Sequence, residues 1–274
     1  VLPVADAAIE NGAVTVEGQR IAGIGPTAEL VATFPDAKRE SLGEAVILPG
    51  LINTHTHLEL TALRGYLEKE ETNFFAWLRK LTIARLERMT PDDIRVSATW
   101  GACEAVRAGI TYVGDASDSG LQSMLALQEV GLRGVVFQES FGPDARLVQE
   151  NFEKLKVKVN ELRAHESELV RAGVSPHAPY TVCAPQLELI AELAQAEGLP
   201  LMMHAAESEA EELLLREGCV PFAEGLARRS IEWNAPLFRE PEQRCEAQEF
   251  PDRREQLSVR PGDVLHRKPL DEFF

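Results

Sequence analysis

From Gly50 to Arg229 short apolar runs alternate with longer segments of helical period, and no other feature of the sequence restricts the fold as tightly. Strands that recur singly between helices are joined by crossovers, which sets them side by side in a parallel sheet with helices on its faces. Strands are expected from Leu51 after the Pro49-Gly50 turn, over Thr111–Asp115, Arg133–Gln138, Arg171–Pro176 and Leu201–Met203. The spacing predicts helices over Asn73–Arg88, from Pro91 onward, and over Ser119–Val130, Asp144–Glu168 and Pro185–Glu197. Thr90 is a natural N-cap, with Pro91 at the first helical position and two acids behind it. Cys183 holds the N-cap position of the last helix and forgoes on the order of 1 kcal/mol as a poor cap.

Before Gly50 the pattern is different. Ala13–Val16 and Arg20–Ile24 alternate in polarity and are joined by Glu17-Gly18-Gln19, a hairpin signal. A third strand is expected over Glu44–Leu48. So few strands cannot cover both faces of their own sheet. Beyond Arg229 the pattern fades. Eight strand–helix units close a barrel and five are present; three more need about 90 residues, whereas 45 remain. Phe238–Arg260 is rich in Glu, Arg, Gln and Pro without a sustained period, so poor order or a departure from the fold is expected there.

With 45% apolar residues the chain can bury a large core. A formal charge of −16 and a pI near 4.9 argue against a nucleic-acid polymer or an anionic membrane as partner and leave room for a small neutral or cationic substrate. No apolar run reaches the ~20 residues of a membrane helix, and the opening residues do not read as a secretory leader. Cys103, Cys183, Cys219 and Cys245 have no paired spacing, which suggests reduced thiols and a cytoplasmic protein. A homo-oligomer is compatible with all of this.

The chemistry-bearing residues share one address. His55 and His57, two apart on a strand, point to the same face and can aim both imidazoles at one point. An isolated pair of this kind reads equally well as two titrating surface residues. However, His177, His204 and Glu207 also lie at or just past the C-terminal ends of expected parallel strands, where barrels build their active sites. Four of the six histidines fall there.

Three motifs, Pro49-Gly50-Leu51-Ile52-Asn53-Thr54-His55-Thr56-His57, Ser175-Pro176-His177-Ala178-Pro179-Tyr180-Thr181 and Met203-His204-Ala205-Ala206-Glu207-Ser208, resemble the amidohydrolase superfamily. The similarity is to its mononuclear branch of guanine, adenosylhomocysteine and aminodeoxyfutalosine deaminases and triazine chlorohydrolases. The resemblance implies an α/β fold: a TIM-type (β/α) barrel with about five of its eight units, over residues 49–236. It also implies a partial β-sandwich domain over residues 1–48 and leaves 237–274 as an atypical tail. It implies a metal-dependent hydrolase of non-peptide C–N bonds that deaminates a purine-like or nucleoside-like heterocycle with a metal-activated water. The alternatives are a dechlorinating or cyclic-amide hydrolase of the same superfamily, or an inactive metal-binding fragment.

By the same resemblance His55, His57 and His204 would hold one divalent ion, Zn2+ first and Fe2+ as the alternative, and Glu207 would shuttle the proton. His177 would contact substrate. Glu59 and Arg64 would meet substrate hydroxyls or carboxylate, or form an exposed loop salt bridge. Trp77, with Phe74 and Phe75, reads as core before it reads as a lid, and His165 as a solvated residue. The family's sixth-strand histidine and eighth-strand aspartate have no secure counterpart: Val264-Leu265-His266, Asp252, Asp263 and Asp271 lack the strand context. The expectation is of a fragment, or of a tail after about Pro236 that leaves the family pattern.

Overall fold

The computed structural model describes residues 1–67, 74–217 and 222–231. It divides into two compact units, Val1–Ile52 and Asn53–Phe274. In the first, β1 (Gly12–Glu17) pairs antiparallel with β2 (Arg20–Pro26) through the tight turn at Gly18-Gln19, with a register shift between Thr15 and Val16. A short helix, α1 (Thr27–Thr33), follows. The third strand expected over Glu44–Leu48 does not form. Among the described residues its link to another segment is the hydrogen bond from Leu2 N to Ile47 O (2.8 Å), and Val46 and Leu48 stay exposed. An apolar, β-branched run without a neighbouring backbone to pair with is not sufficient for a strand.

The second unit is built on a parallel sheet whose strands are ordered β3 (Leu51–Thr56), β4 (Ile110–Ser117), β5 (Arg133–Ser140) and β6 (Val170–Pro176). β5 is buried along nearly its whole length, as expected of a strand covered on both faces, whereas β3 at the edge is largely exposed. Gly114 allows the close approach of β3, since a Cβ there would lie 2.5 Å from the Thr54 carbonyl oxygen. The fifth expected strand reduces to an isolated parallel bridge between Leu201 and Val174. Only three residues separate Pro200 from His204, too few for a ladder. Even so, Val174 N bonds to Pro200 O (3.0 Å) and Met202 N to Val174 O (3.1 Å), so this segment runs alongside β6 as a strand would.

Helices carry the crossovers. α2 (Phe74–Ile83) continues into a π-helical turn, Ala84–Arg88, so the expected helix is split; Asn73 lies outside the described residues. α3 (Pro91–Arg107) starts at Thr90, whose hydroxyl accepts from Asp93 N (3.2 Å) while the Asp93 carboxylate accepts from Thr90 N (2.8 Å), a full capping box. α4 (Gly120–Val130) joins β4 to β5. α5 (Val148–Ala164) is shorter than the expected helix and follows a 3-10 turn at Ala145–Leu147; Glu166, beyond its end, instead accepts from Ala172 N (2.8 Å). α6 (Ala184–Glu197) begins at Cys183 without a side-chain cap and ends at Gly198, whose φ of 63° suits a residue without Cβ. Two short helices, α7 (Glu209–Glu217) and α8 (Phe222–Arg228), close the described part.

Met124 and Leu127 of α4, Leu162 of α5, Val113 of β4 and Val136 of β5 form the main core. Each large side chain buried in this way contributes about 1.5–3 kcal/mol. A second cluster joins Leu155 and Val159 of α5 to Val174 and to Ile190 of α6. These layers hold the strand ends in place as a rigid rim. Among the described residues no helix is long and apolar enough to cross a membrane. The expected tail, 237–274, lies outside the described residues, as do His266, Asp252, Asp263 and Asp271.

Candidate metal and catalytic site

His55 and His57 leave the end of β3, and His204 leaves the segment beside β6. The three imidazoles meet: ring centroids lie 5.1 Å apart for His55–His57, 4.8 Å for His55–His204 and 5.1 Å for His57–His204. One ring nitrogen from each lies within 4.8 Å of the others. Backbone carbonyls set two of the tautomers. His57 Nδ1 is 2.8 Å from Ala116 O and His204 Nδ1 is 2.9 Å from His177 O. A carbonyl only accepts, so both Nδ1 atoms carry the proton and both Nε2 atoms present lone pairs. Those two Nε2 atoms are 3.0 Å apart.

Two lone pairs at that separation need a proton or a cation between them. Burial, and then the neighbouring His204 and His55, pull the His57 imidazole down to about 4, so a proton is disfavoured near neutral pH. A cation is the remaining solution, and ring nitrogens whose partners are locked on carbonyls are what a metal-holding histidine needs. The residues therefore fit a divalent ion held by His55, His57 and His204. The turn after His57 is fixed from β4, where the buried Asp115 Oδ1 accepts from Leu58 N (2.7 Å). Burial raises the Asp115 carboxyl to about 7, with the bond from Leu58 opposing.

His177, at the end of β6, packs its ring 4.7 Å from that of His204 and 4.5 Å from Phe141. Thr181 Oγ1 donates to Ala178 O (3.2 Å) and so accepts from His177 Nδ1 (2.8 Å), which leaves His177 Nε2 as an acceptor. Burial, helped by His204, lowers this imidazole to about 3. Glu207 Oε2 accepts from the Tyr180 hydroxyl at 2.6 Å. Burial and this bond to Glu207 push the Tyr180 phenol well up, so it remains a donor. His57, His177, Tyr180, His204 and Glu207 line one cavity of about 680 Å³. Trp77 of α2 is half-buried in its wall and stacks on Phe74 with centroids 6.1 Å apart.

Glu59 and Arg64, each read from the sequence as a substrate contact or a loop salt bridge, are both engaged in ion pairs. Glu59 is buried, with Oε1 3.1 Å from Arg85 Nε and Oε2 accepting from Ser117 Oγ (2.6 Å) and Ser119 N (3.1 Å). It lines the cavity as an internal strut of the rim, in neither the exposed loop nor the surface salt bridge the sequence suggested. Arg64 is exposed and bidentate to Glu104 (2.9 and 2.6 Å), the surface salt bridge that was its alternative reading. His165 is exposed at the end of α5, with Nδ1 2.9 Å from Glu161 O.

Two residues were missed. Glu139, at the end of β5, is buried, and its Oε1 has no hydrogen-bond partner among the described residues; it lies 4.0 Å from His177 Nε2 and 3.9 Å from His204 Nδ1. Burial, and then the Glu59 charge, push its carboxyl well above the usual range. With His177 and His204 it forms a second group of metal-capable donors. Ending the expected strand at Gln138 hid it, although it occupies the same strand-end address as the histidines. Arg85, on the π-helical turn, pairs with both Glu59 and Asp118. Burial opposes its charge, but Glu59, Asp118 and Glu139 outweigh that and raise its pKa.

Residues 46–223 match the amidohydrolase family, and residues 12–37 match an imidazolonepropionase-like composite domain of bacteria. Over 211 residues the chain is 30% identical to a 5-methylthioadenosine/S-adenosylhomocysteine deaminase of Desulfovibrio desulfuricans, a match covering 74% of this chain and 46% of the relative. The crystal structure of Helicobacter pylori aminofutalosine deaminase in complex with methylthio-coformycin superposes with a TM-score of 0.67 at 26% identity, over 78% of this chain and 50% of that one. A Xanthomonas campestris adenosine deaminase with bound zinc shares the fold at a TM-score of 0.59 and 23% identity, over 79% and 50% of the two chains. The chain spans about half the length of the curated relatives it matches. A family match over the greater part of the chain is decisive: this protein belongs to the amidohydrolase family, and its parallel sheet is part of that family's TIM barrel, not closed among the described residues.

Proposed function

We propose that this protein serves hydrolytic deamination of a nucleoside-like heterocycle, with one divalent cation, zinc, held by His55, His57 and His204. The observation that carries this reading is the meeting of the His57 and His204 Nε2 lone pairs, 3.0 Å apart, in the cavity that Glu207 also lines. Three neutral imidazoles form a donor set that suits zinc. When bound, the ion would supply Lewis acidity that brings a water toward ionisation near neutral pH.

The chain's own residues do the rest. Tyr180 occupies Glu207 Oε2, so Oε1 is the atom that takes one proton from water and gives it to a ring nitrogen, then takes the second from the hydroxyl now on carbon and gives it to the amino group, which leaves as ammonia as the C–N bond breaks. His177 Nε2 accepts an N–H or O–H of the substrate and helps to orient it. A cavity of about 680 Å³ suits a nucleoside-sized ligand. The Desulfovibrio relative is named a deaminase of methylthioadenosine and adenosylhomocysteine, and the Helicobacter structure contains methylthio-coformycin, which supports a substrate of that class. Cys103 and Cys183 are free, in keeping with work in a reducing cytoplasm.

The test is ammonia release by the zinc-loaded chain from a panel of adenosine derivatives. Glu207→Gln is expected to keep the metal and lose turnover by about 10²–10⁴-fold. A fully active variant would remove Glu207 from proton transfer. Zinc bound without turnover of any substrate would instead favour an inactive metal-binding protein.

A further inference from the structure

Ser208-Glu209-Ala210-Glu211 has the spacing of a capping box, and Ser208 Oγ does accept from Glu211 N (3.3 Å) at the start of α7. The return contact differs from that motif. The Glu211 side chain reaches past Ser208, and its carboxylate accepts from Ala206 N (3.1 Å, Oε1) and Glu207 N (2.7 Å, Oε2). Glu211 is fully buried, and among the described residues no cation pairs with it. Ala206 has φ of 58°, the left-handed region that a residue with a Cβ avoids. Two successive N–H groups beside a left-handed residue form a concavity that binds an anion. Here the anion is supplied by the chain, four residues downstream.

We infer that Glu211 is a positioning residue for Glu207: its buried carboxylate, bonded to the N–H groups of Ala206 and Glu207, holds the left-handed turn that aims Glu207 at Tyr180 and into the cavity. The inference rests on the proposed role of Glu207 in proton transfer. A helix cap alone would need the bond between Ser208 and Glu211 N and would have no use for a bidentate carboxylate on the two residues before the cap. Without that carboxylate, Ala206 relaxes out of the left-handed region and the Glu207 side chain, one residue on, swings away from the Tyr180 hydroxyl.

The experiment uses the full zinc-loaded chain labelled with 13Cζ-tyrosine, in which Tyr180→Phe identifies the Tyr180 signal among the three. Glu211→Gln is expected to move the Tyr180 signal toward its position in Glu207→Gln and to lower kcat about a hundredfold, with KM within about twofold and zinc content unchanged. Ala206→Gly, added to Glu211→Gln, removes the left-handed penalty and should restore part of kcat. Ser208→Ala deletes the cap acceptor and should leave the Tyr180 signal in place. Ala206→Val, which keeps Glu211 but disfavours the left-handed turn, should displace the signal and gives a second route if Glu211→Gln folds poorly. An unmoved Tyr180 signal in both Glu211→Gln and Ala206→Val overturns the inference, as does a Ser208→Ala shift as large as that of Glu211→Gln. If the wild-type chain releases no ammonia while Glu211→Gln still moves the signal, the proposed function fails and the positioning role stands.

Discussion

The rim of the sheet carries two polar clusters that solve the same burial problem in opposite ways. At the ends of β3 and the segment beside β6, His55, His57 and His204 converge with lone pairs facing one another and no proton or charge to reconcile them. Around Glu59 and Asp118, the chain supplies its own cations: Arg85 spans both carboxylates, Lys158 Nζ reaches Asp118 Oδ1 at 2.7 Å, and Ser117 and Ser119 cover Glu59 Oε2. In charge the second cluster is complete, each carboxylate facing a cation of the chain, although Arg85 Nε makes no hydrogen bond among the described residues; the first has no such partner among them. Buried charge is tolerated when it is paired in place, and the facing lone pairs of the first cluster are what supports the metal reading proposed above.

The contrast is tested most strongly at the incomplete cluster. His204→Ala removes one of the two facing Nε2 atoms and is expected to abolish metal retention, read by elemental analysis of the zinc-loaded, desalted chain. In the wild-type chain, zinc at about a hundred times its dissociation constant should add ~2.7 kcal/mol of stability, and the variant should gain nothing from it. Unchanged metal content in His204→Ala would take His204 out of the ligand set and with it the distinction between the two clusters.

At the complete cluster the largest effect should fall on folding. Arg85→Met leaves Glu59 and Asp118 without their shared partner, and losing one side of a buried pair costs about 3–5 kcal/mol. Zinc retention should be intact. The cost should depend on pH in a known direction. Burial opposes ionisation of Asp118, but Arg85 and Lys158 prevail and hold its carboxyl below the ordinary value of 3.8. A carboxyl lowered in this way contributes stability above its unfolded pKa and loses it as pH falls through the folded one. The gap between wild type and Arg85→Met in urea unfolding should therefore be full at neutral pH and narrow below about pH 4. A gap that widens on acidification would mean that Arg85 does not neutralise these carboxylates.

The same contrast explains what could be read from residues alone. His55 and His57 are two apart on one strand, and Glu207 follows His204 by three, so these pairings within the proposed site are local in sequence. The parallel sheet is equally legible, because β4, β5 and β6 are apolar runs separated by segments of helical period. The complete cluster is assembled from positions 59, 85, 118 and 158 on four different elements, and Glu, Arg, Asp and Lys are ordinary surface residues until something buries them. Arg85, Asp118 and Lys158 are hidden in the sequence for that reason, and of the four only Glu59 stands out there, as a substrate contact or a loop salt bridge. Strand expectations failed where pairing was lacking: Glu44–Leu48 is an apolar run that, among the described residues, makes one backbone bond to a distant segment, and Leu201–Met203 stops at a bridge.

Arg64 sharpens the comparison from the other side, since its neighbours are charged as well but its surroundings are wet. Its guanidinium is bidentate to Glu104 on the outer face of α3, and Trp100 Nε1 also donates to Glu104 Oε1 (3.2 Å), so the geometry of the pair is as good as that of the buried network. Both side chains are exposed, at 63% and 38%, so water solvates the charges whether or not they meet. Exposed pairs of this kind contribute little, because the Coulomb gain is screened and ordering two long side chains costs entropy. Arg64→Ala is therefore expected to leave zinc content, turnover and thermal midpoint unchanged within error. A rise in KM with unchanged kcat would return Arg64 to the substrate, by a route its present bond to Glu104 does not reveal.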